Sequence, residues 1–343
     1  MLFRSALALD DAQLREAAAL HRTLKNPRRA AVLLDRVLAR APADAELLLG
    51  RAELAVEEGR RSDALDALAR FAPLPDATAE RRRRVLILYR KINEPGRASS
   101  YLESLAERRP VDAGLRLDQA ELALEAGETD AARRALASAE ERTPDAAARM
   151  RMAVVYGGLK EFRKAFALSG SLMKIYSGDP EFWIVRAELA AGAGERSAAL
   201  ESLARAEALH PDDAGRDDEQ RRRIALVYQG LNEYDRALEI LGRLARKHPA
   251  AASFLSDKAL CEHLKGAEGA ALDDLRAAIR LEPKFLPAYL TLGAIHTQGG
   301  RLSQARTVYD EALSKTSDAD PLRAAVRSAR RGLAERGAPS SRP

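Results

Sequence analysis

Apolar residues recur at helical spacing along this chain, most clearly between Leu286 and Thr316. The first half of that stretch places one set on a single helical face, at Tyr289, Leu292, Gly293 and His296. The second half places another set at i, i+4 and i+7, at Ala305, Tyr309 and Ala312. Because Gly299 and Gly300 separate the halves, the pattern predicts a helical hairpin. Its helices should pass closest at Gly293 and Ala305, where larger side chains would overpack the contact.

Less regular copies of this hairpin fill most of the upstream sequence. We expect nine repeats, which begin near residues 11, 45, 79, 113, 146, 180, 218, 252 and 286. A single hairpin cannot bury its own apolar stripe, so the repeats must stack on one another. The sequence therefore predicts an all-α chain in which residues 11–319 form one array of tandem helix–turn–helix hairpins.

Four other segments are expected to differ from the repeats. Residues 1–10 have the spacing of the end of a second helix, which indicates either the remnant of a repeat in a longer protein or an N-terminal cap. The polar stretch 211–220 lengthens the sixth repeat and predicts a loop or hinge. Residues 320–336 predict a C-terminal capping helix, because their apolar side chains share one face and their arginines lie off it. The tail 337–343 is expected to be disordered.

First helices alternate between two sequence types. One type contains RAELA or QAELA, at residues 51–55, 119–123 and 186–190. The other contains the sequences RRVLILY, RMAVVY and RRIALVY, which end at Tyr89, Tyr156 and Tyr228. This longer period indicates that the duplicated segment was a pair of hairpins.

The apolar and small residues at these offsets resemble the tetratricopeptide repeat (TPR), a helix–turn–helix motif of about 34 residues. The resemblance covers nearly the whole chain and implies an α-solenoid coiled as a right-handed superhelix. It also implies a non-catalytic scaffold or adaptor whose first helices line a concave groove that binds a protein or peptide. The alternative is the TPR segment of a larger bacterial envelope-assembly, polysaccharide-export or glycosyltransferase protein.

Composition and charge bear on whether the chain enters a membrane, which compartment it occupies and whether it binds nucleic acid. The chain is 46% hydrophobic and 31% charged, which is typical of soluble globular proteins. No run approaches the roughly 20 apolar residues of a membrane span, and the N-terminus lacks a secretory signal, so no direct membrane insertion is expected. We favour the cytoplasm, with the periplasm open if the N-terminus is truncated. The 56 basic and 51 acidic residues are interspersed, which argues against a nucleic-acid partner.

Motifs for catalysis or cofactors do not emerge from the sequence. It has no HExxH spacing, no glycine-rich phosphate loop and no GxSxG elbow, so we expect neither an enzyme nor a cofactor. Cys261, His263 and His296 fall in adjacent predicted first helices and could suggest a metal site. We expect structural roles instead, since His296 stands where the pattern has a large ring and Cys261 resembles a small buried apolar residue.

Seven charged residues map to the face that the resemblance assigns to ligand binding. They are Arg22, Glu53, Arg83, Arg90, Glu121, Glu188 and Arg222. A groove of alternating carboxylates and guanidiniums would suit a peptide of mixed charge. The alternative is that these residues pair across neighbouring helices and only position the repeats.

Overall fold

A computed structural model describes residues 10–75, 78–109, 112–142, 144–209, 218–317 and 320–337, with side chains up to Leu333. Within these ranges the chain forms nineteen α-helices and no strand, so the predicted all-α fold of tandem hairpins is confirmed. The predicted N-terminal segment (except residue 10), most of the loop at 211–220 and the tail beyond 337 lie outside the described residues.

The chain divides into two compact bodies, Met1–Glu161 and Phe162–Pro343. The helices of the N-terminal body are α1 (Asp11–Thr23), α2 (Pro27–Leu38), α3 (Ala45–Glu57), α4 (Arg61–Phe71), α5 (Ala79–Lys91), α6 (Pro95–Arg108), α7 (Ala113–Glu125), α8 (Thr129–Glu140) and α9 (Ala146–Gly158). Those of the C-terminal body are α10 (Phe162–Gly170), α11 (Pro180–Ala193), α12 (Arg196–Leu209), α13 (Asp218–Gly230), α14 (Tyr234–Lys247), α15 (Ala252–Lys265), α16 (Glu268–Leu281), α17 (Leu286–Gln298), α18 (Leu302–Lys315) and α19 (Arg323–Gly337). The boundary falls inside the fifth predicted repeat, and one continuous array across it stays a prediction.

Aspartates begin many of the first helices. The residues whose side chains accept a hydrogen bond from a backbone N–H of the first turn are Asp10, Asp44, Asp112, Asp145 and Asp179. Each such cap contributes about 1 kcal/mol to helix stability. Second helices α2 and α6 begin instead with a proline, after Asn26 and Glu94, where the missing N–H costs no hydrogen bond.

The turn inside each repeat contains one residue in the left-handed backbone region, always the fifteenth from the start of the first helix. In one set of repeats it is glycine, at Gly59, Gly127, Gly194, Gly266 and Gly300. In the alternating set it is Lys25, Asn93, Lys160 and Asn232, with φ between 54° and 61°. Only glycine adopts this conformation without a steric cost. The two-repeat period therefore extends from the first helices into the turns of the first eight repeats, and the ninth repeat, with Gly300, departs from it.

Helices α17 and α18 pack closely at Gly293, one of the two small positions that the sequence singles out. A Cβ added to Gly293 on α17 would lie 2.3 Å from Cε1 of Tyr309 on α18. Ala305 is fully buried in the same cluster. Helix α19 adds Val326 and Leu333 to this cluster, so it covers apolar surface of the last hairpin.

Candidate protein-binding face

Ion pairs join successive first helices of the N-terminal body. Arg22 on α1 donates to Glu53 on α3 at 2.9 Å and also to Glu57. Arg90 on α5 donates to Glu125 on α7 at 2.8 Å. The exposed surface of α1, α3, α5, α7 and α9 that carries these pairs is called here the first-helix face. Three of the predicted contact residues, Arg22, Glu53 and Arg90, thus have partners within the chain.

One type of pair recurs between the two classes of first helix. Nε of Arg84 on α5 donates to Glu53 on α3 at 2.9 Å, and Nε of Arg151 on α9 donates to Glu121 on α7 at 2.7 Å. In the C-terminal body, Arg223 on α13 donates to Glu188 on α11 at 2.8 Å. Each of these arginines stands five residues before the tyrosine of its helix. Sequence reasoning selected the glutamates and missed the arginines, although this shared position was a usable signal.

The remaining predicted residues differ in environment. Arg222 on α13 pairs with Asp257 on α15 and with Glu219 on its own helix. Arg83 on α5 is exposed and forms no ion pair with any part of the chain that the structure describes. Six of the seven residues therefore form ion pairs between helices, and Arg83 projects its charge into solvent.

The pairing stabilises the ionised forms of these groups further. Hydrogen bonding to Glu188 is the main cause that raises the pKa of Arg223, despite an opposing effect of burial. Burial lowers the pKa of Arg151, but Glu121 and Asp118 together outweigh it and raise the pKa. Hydrogen bonds from Arg84 and Arg81 lower the pKa of Glu46. These charges are largely satisfied within the chain.

Beneath the N-terminal pairs lies a buried ion pair. Asp118 on α7, whose side chain is 2% exposed, accepts at 2.8 Å from Nε of Arg82 on α5. The same carboxylate accepts at 2.6 Å from Arg151 on α9. Asp118 thus joins three consecutive first helices. Removing one member of a buried pair typically costs 3–5 kcal/mol, because a buried charge is left without a partner.

From α3 to α13, acidic and aliphatic residues alternate at the ninth position of successive first helices. The series is Glu53, Ile87, Glu121 and Val154 in the N-terminal body, then Glu188 and Leu226 in the C-terminal body. The aliphatic members are 46%, 48% and 36% exposed, respectively. Aliphatic side chains that recur in solvent at one position are not required by the core, which makes them candidate contacts.

A cleft of about 390 Å³ surrounds the first of these aliphatic residues. Val56, Ile87 and Leu88 supply its apolar lining, and Arg22, Glu53, Glu57, Arg84 and Lys91 its charged lining. Lys91 is exposed and, within the described ranges, forms no ion pair. The cleft thus combines an apolar lining with paired charges and one cation that is not paired.

The sequence model of the tetratricopeptide repeat matches residues 87–156, 222–284 and 269–324, just over half of the chain. The chain belongs to the tetratricopeptide repeat family. TPR proteins are generally scaffolds for protein–protein interaction. No curated protein sequence matches this TPR chain significantly.

Two solved structures with TM-scores above 0.5 show the same fold at low sequence identity. A tetratricopeptide repeat protein from Parabacteroides merdae is 15% identical with a TM-score of 0.53, over 84% of this chain and 98% of that one. A chain of the Cut9–Hcn1 hetero-tetramer of the APC/C is 16% identical with a TM-score of 0.52, over 78% of this chain. The TPR chain spans about half (52%) of the length of that protein. Yeast Tom70 is 13% identical with a TM-score of 0.43, over 95% of this chain and 89% of Tom70.

Cys261, His263 and His296 of this TPR chain each have a structural environment within the chain. Cys261 is buried, which raises the pKa of its thiol to about 11. A ring nitrogen of His263 lies 2.8 Å from the Gln298 side-chain oxygen, and Nδ1 of His296 accepts from Arg301 at 2.9 Å. In the part of the chain that the structure describes, no group of three potential metal ligands is found, nor any helix long and apolar enough to cross a membrane.

Proposed function

We propose that this chain is a non-catalytic scaffold that binds a protein or peptide on its first-helix face. The observation that carries this proposal is the pair of half-exposed aliphatic side chains, Ile87 and Val154, at the same position of α5 and α9. Family membership supports it, since TPR proteins are generally interaction scaffolds.

The ion pairs have two roles in this proposal. They fix the spacing of successive first helices, so that the face is preorganised and little conformational freedom is lost on binding. They also present a polar rim around the aliphatic positions, which is the usual anatomy of an interface. Arg22, Glu53, Arg90 and Glu121 belong to this rim, and Glu188 and Arg222 have the same role in the C-terminal body.

The unpaired cations specify the chemistry of the partner. Arg83 and Lys91 stand four residues before and after Ile87, so all three share one side of α5. A complementary segment has an aliphatic or aromatic side chain for the cleft at Ile87 and a carboxylate for Arg83 or Lys91. Contacts of this kind give register and specificity, while the apolar anchor supplies most of the affinity.

Site-specific photo-cross-linking in cells that express the chain tests the proposal. A photoreactive amino acid replaces Ile87 or Val154 in separate variants, and Val32, which is 54% exposed on second helix α2, in a matched control. We expect the same polypeptide to be cross-linked from positions 87 and 154 and not from position 32. Cross-linking of that polypeptide from position 32 alone, or equally from all three positions, would contradict the proposal.

A further inference from the structure

A larger cleft, of about 590 Å³, is lined by α6, α7 and α8 of the N-terminal body. Its volume lies within the range of small-molecule and side-chain binding sites in proteins. None of the seven predicted contact residues lines it. Its origin becomes clear when α7 is compared with the other first helices of its class.

In the repeat of α3, a basic side chain occupies the corresponding space. Arg51, the seventh residue of α3, donates to Asp35 on α2 at 2.8 Å and to Asp63 on α4 at 3.3 Å. Its side chain is 13% exposed, so most of it is removed from solvent. Arg51 thus ties together the two second helices that flank α3.

The C-terminal body also has a cation at this position in two first helices. Arg186, the seventh residue of α11, donates to Ser202 on α12 at 2.9 Å and lies over the ring of Phe166 on α10 at 4.7 Å. Lys258, the seventh residue of α15, pairs with Asp274 on α16. Three helices of this class therefore place a cation against a neighbouring second helix.

Helix α7 is the exception. Its seventh residue is Gln119, whose side-chain oxygen accepts from Arg116 of the same helix at 2.9 Å. The equivalent of Asp63 on α8 is Ala131, which further enlarges the space. The carboxylate of α6 is retained, because Glu103 is the ninth residue of α6 as Asp35 is of α2. Glu103 accepts from the Ser99 hydroxyl at 3.2 Å and forms no ion pair within the described residues.

We infer that this cleft binds a basic side chain of a partner polypeptide, whose guanidinium or ammonium group pairs with Glu103 as Arg51 pairs with Asp35. The methylene groups of that side chain would lie against Leu122 and Ala123. Arg116 and Arg134 also line the cleft, together with a second carboxylate, Glu128. Arg134 is exposed where α4 has Asp66, and the two arginines would repel a lone cation. The segment that fits therefore has an acidic residue next to its basic one.

Blocked dipeptides provide a direct test on the full chain. The probes are acetyl-Arg-Glu-amide and, as its match without the cation, acetyl-Gln-Glu-amide. NMR of labelled leucine methyl groups would follow Leu102 and Leu122, which line the cleft. We expect only the arginine probe to shift these signals. Its Kd should lie in the millimolar range, because a single anchored side chain supplies only a small binding free energy. Equal shifts with both probes, or no shift with either, would overturn the inference.

Two variants test the role of the residues. Gln119→Arg restores the arrangement of α3 and fills the cleft, so we expect binding of the arginine probe to weaken by about tenfold or more. Arg51→Gln makes the reverse change in the α3 repeat and should leave the response of Leu102 and Leu122 intact. Undiminished binding by Gln119→Arg would overturn the inference.

Glu103→Gln keeps the test valid if Gln119→Arg perturbs folding. The Glu103 side chain is exposed, so Glu103→Gln should fold normally. Loss of the carboxylate should reduce the affinity for the arginine probe severalfold. Glu107→Gln, on the same helix but outside the cleft lining, is the matched control and should bind normally. Equal affinities of the two variants would contradict a role for Glu103.

Discussion

The carboxylate of Glu121 on α7 accepts a hydrogen bond of 2.7 Å from Nε of Arg151 on α9. Equivalent residues form the same contact between α3 and α5 and between α11 and α13. The ion pair is therefore a property of the two-repeat period. It explains why one class of first helix carries a glutamate and the next class an arginine five residues before its tyrosine.

A double-mutant cycle should measure this contact. The side chains of Glu121 and Arg151 are 32% and 20% exposed, so we expect Glu121→Gln and Arg151→Gln to couple by about 0.5–1.5 kcal/mol in urea unfolding. The pair Arg90–Glu125, whose side chains are 41% and 50% exposed, is the control and should couple by less than about 0.5 kcal/mol. Coupling no larger for Glu121–Arg151 than for the control would contradict this assignment.

Replacing Gly293 by alanine tests the packing of α17 on α18. The new Cβ would lie 2.3 Å from the Tyr309 ring, so the ring or the helix must move. We expect a loss of about 1–3 kcal/mol in the free energy of unfolding. Gly332→Ala on α19 is the control, because a Cβ there meets nothing within 4 Å and should be neutral or stabilise by up to about 1 kcal/mol. Equal effects of the two substitutions would argue against a close helix contact at Gly293.

The buried ring of His296 should make stability depend on pH. Burial, followed by the charges of Arg301 and Arg276, lowers the pKa of His296 in the folded chain below its ordinary value of 6.5. As pH falls through 6.5, the unfolded chain binds a proton that the folded chain does not, so unfolding is favoured. The stability contributed by neutral His296 is thus present above that pH and lost below it.

The measurement is the melting temperature at pH 7.5 and pH 5.5, for the wild-type chain and His296→Gln. Glutamine retains an acceptor for Arg301 but does not titrate. We expect the wild-type melting temperature to fall more than that of the variant between the two pH values. An identical fall in both proteins would show that His296 does not contribute to the pH dependence.

Packing within a hairpin follows from spacings inside one repeat, whereas pairing between repeats does not follow from any fixed spacing. The small residues Gly293 and Ala305 indicated a close contact because small and large residues recur at fixed offsets within one repeat, and the structure adds that Tyr309 packs on Gly293. The partners of Glu53, Glu121 and Glu188 lie 31, 30 and 35 residues away, so no single spacing identifies them. Pairing of these side chains also depends on the rotation of each first helix against the next, which local periodicity does not determine.

The exposed aliphatic residues were missed for a related reason. Ile87 lies in a continuous apolar run with Val85, Leu86, Leu88 and Tyr89, and all of these except Ile87 are buried. A run of this kind has residues on every side of a helix. Only the packing of neighbouring helices decides which of them stays in solvent.

The most direct test of the proposed function is the affinity of the Ile87→Asp variant for the polypeptide cross-linked from positions 87 and 154. Calorimetry would compare it with wild type and with Val32→Asp, each checked for an unchanged circular dichroism spectrum. We predict that Ile87→Asp weakens binding by about tenfold or more and that Val32→Asp changes it by less than about twofold. Unchanged affinity in Ile87→Asp, or an equal loss in both variants, would contradict binding at the first-helix face.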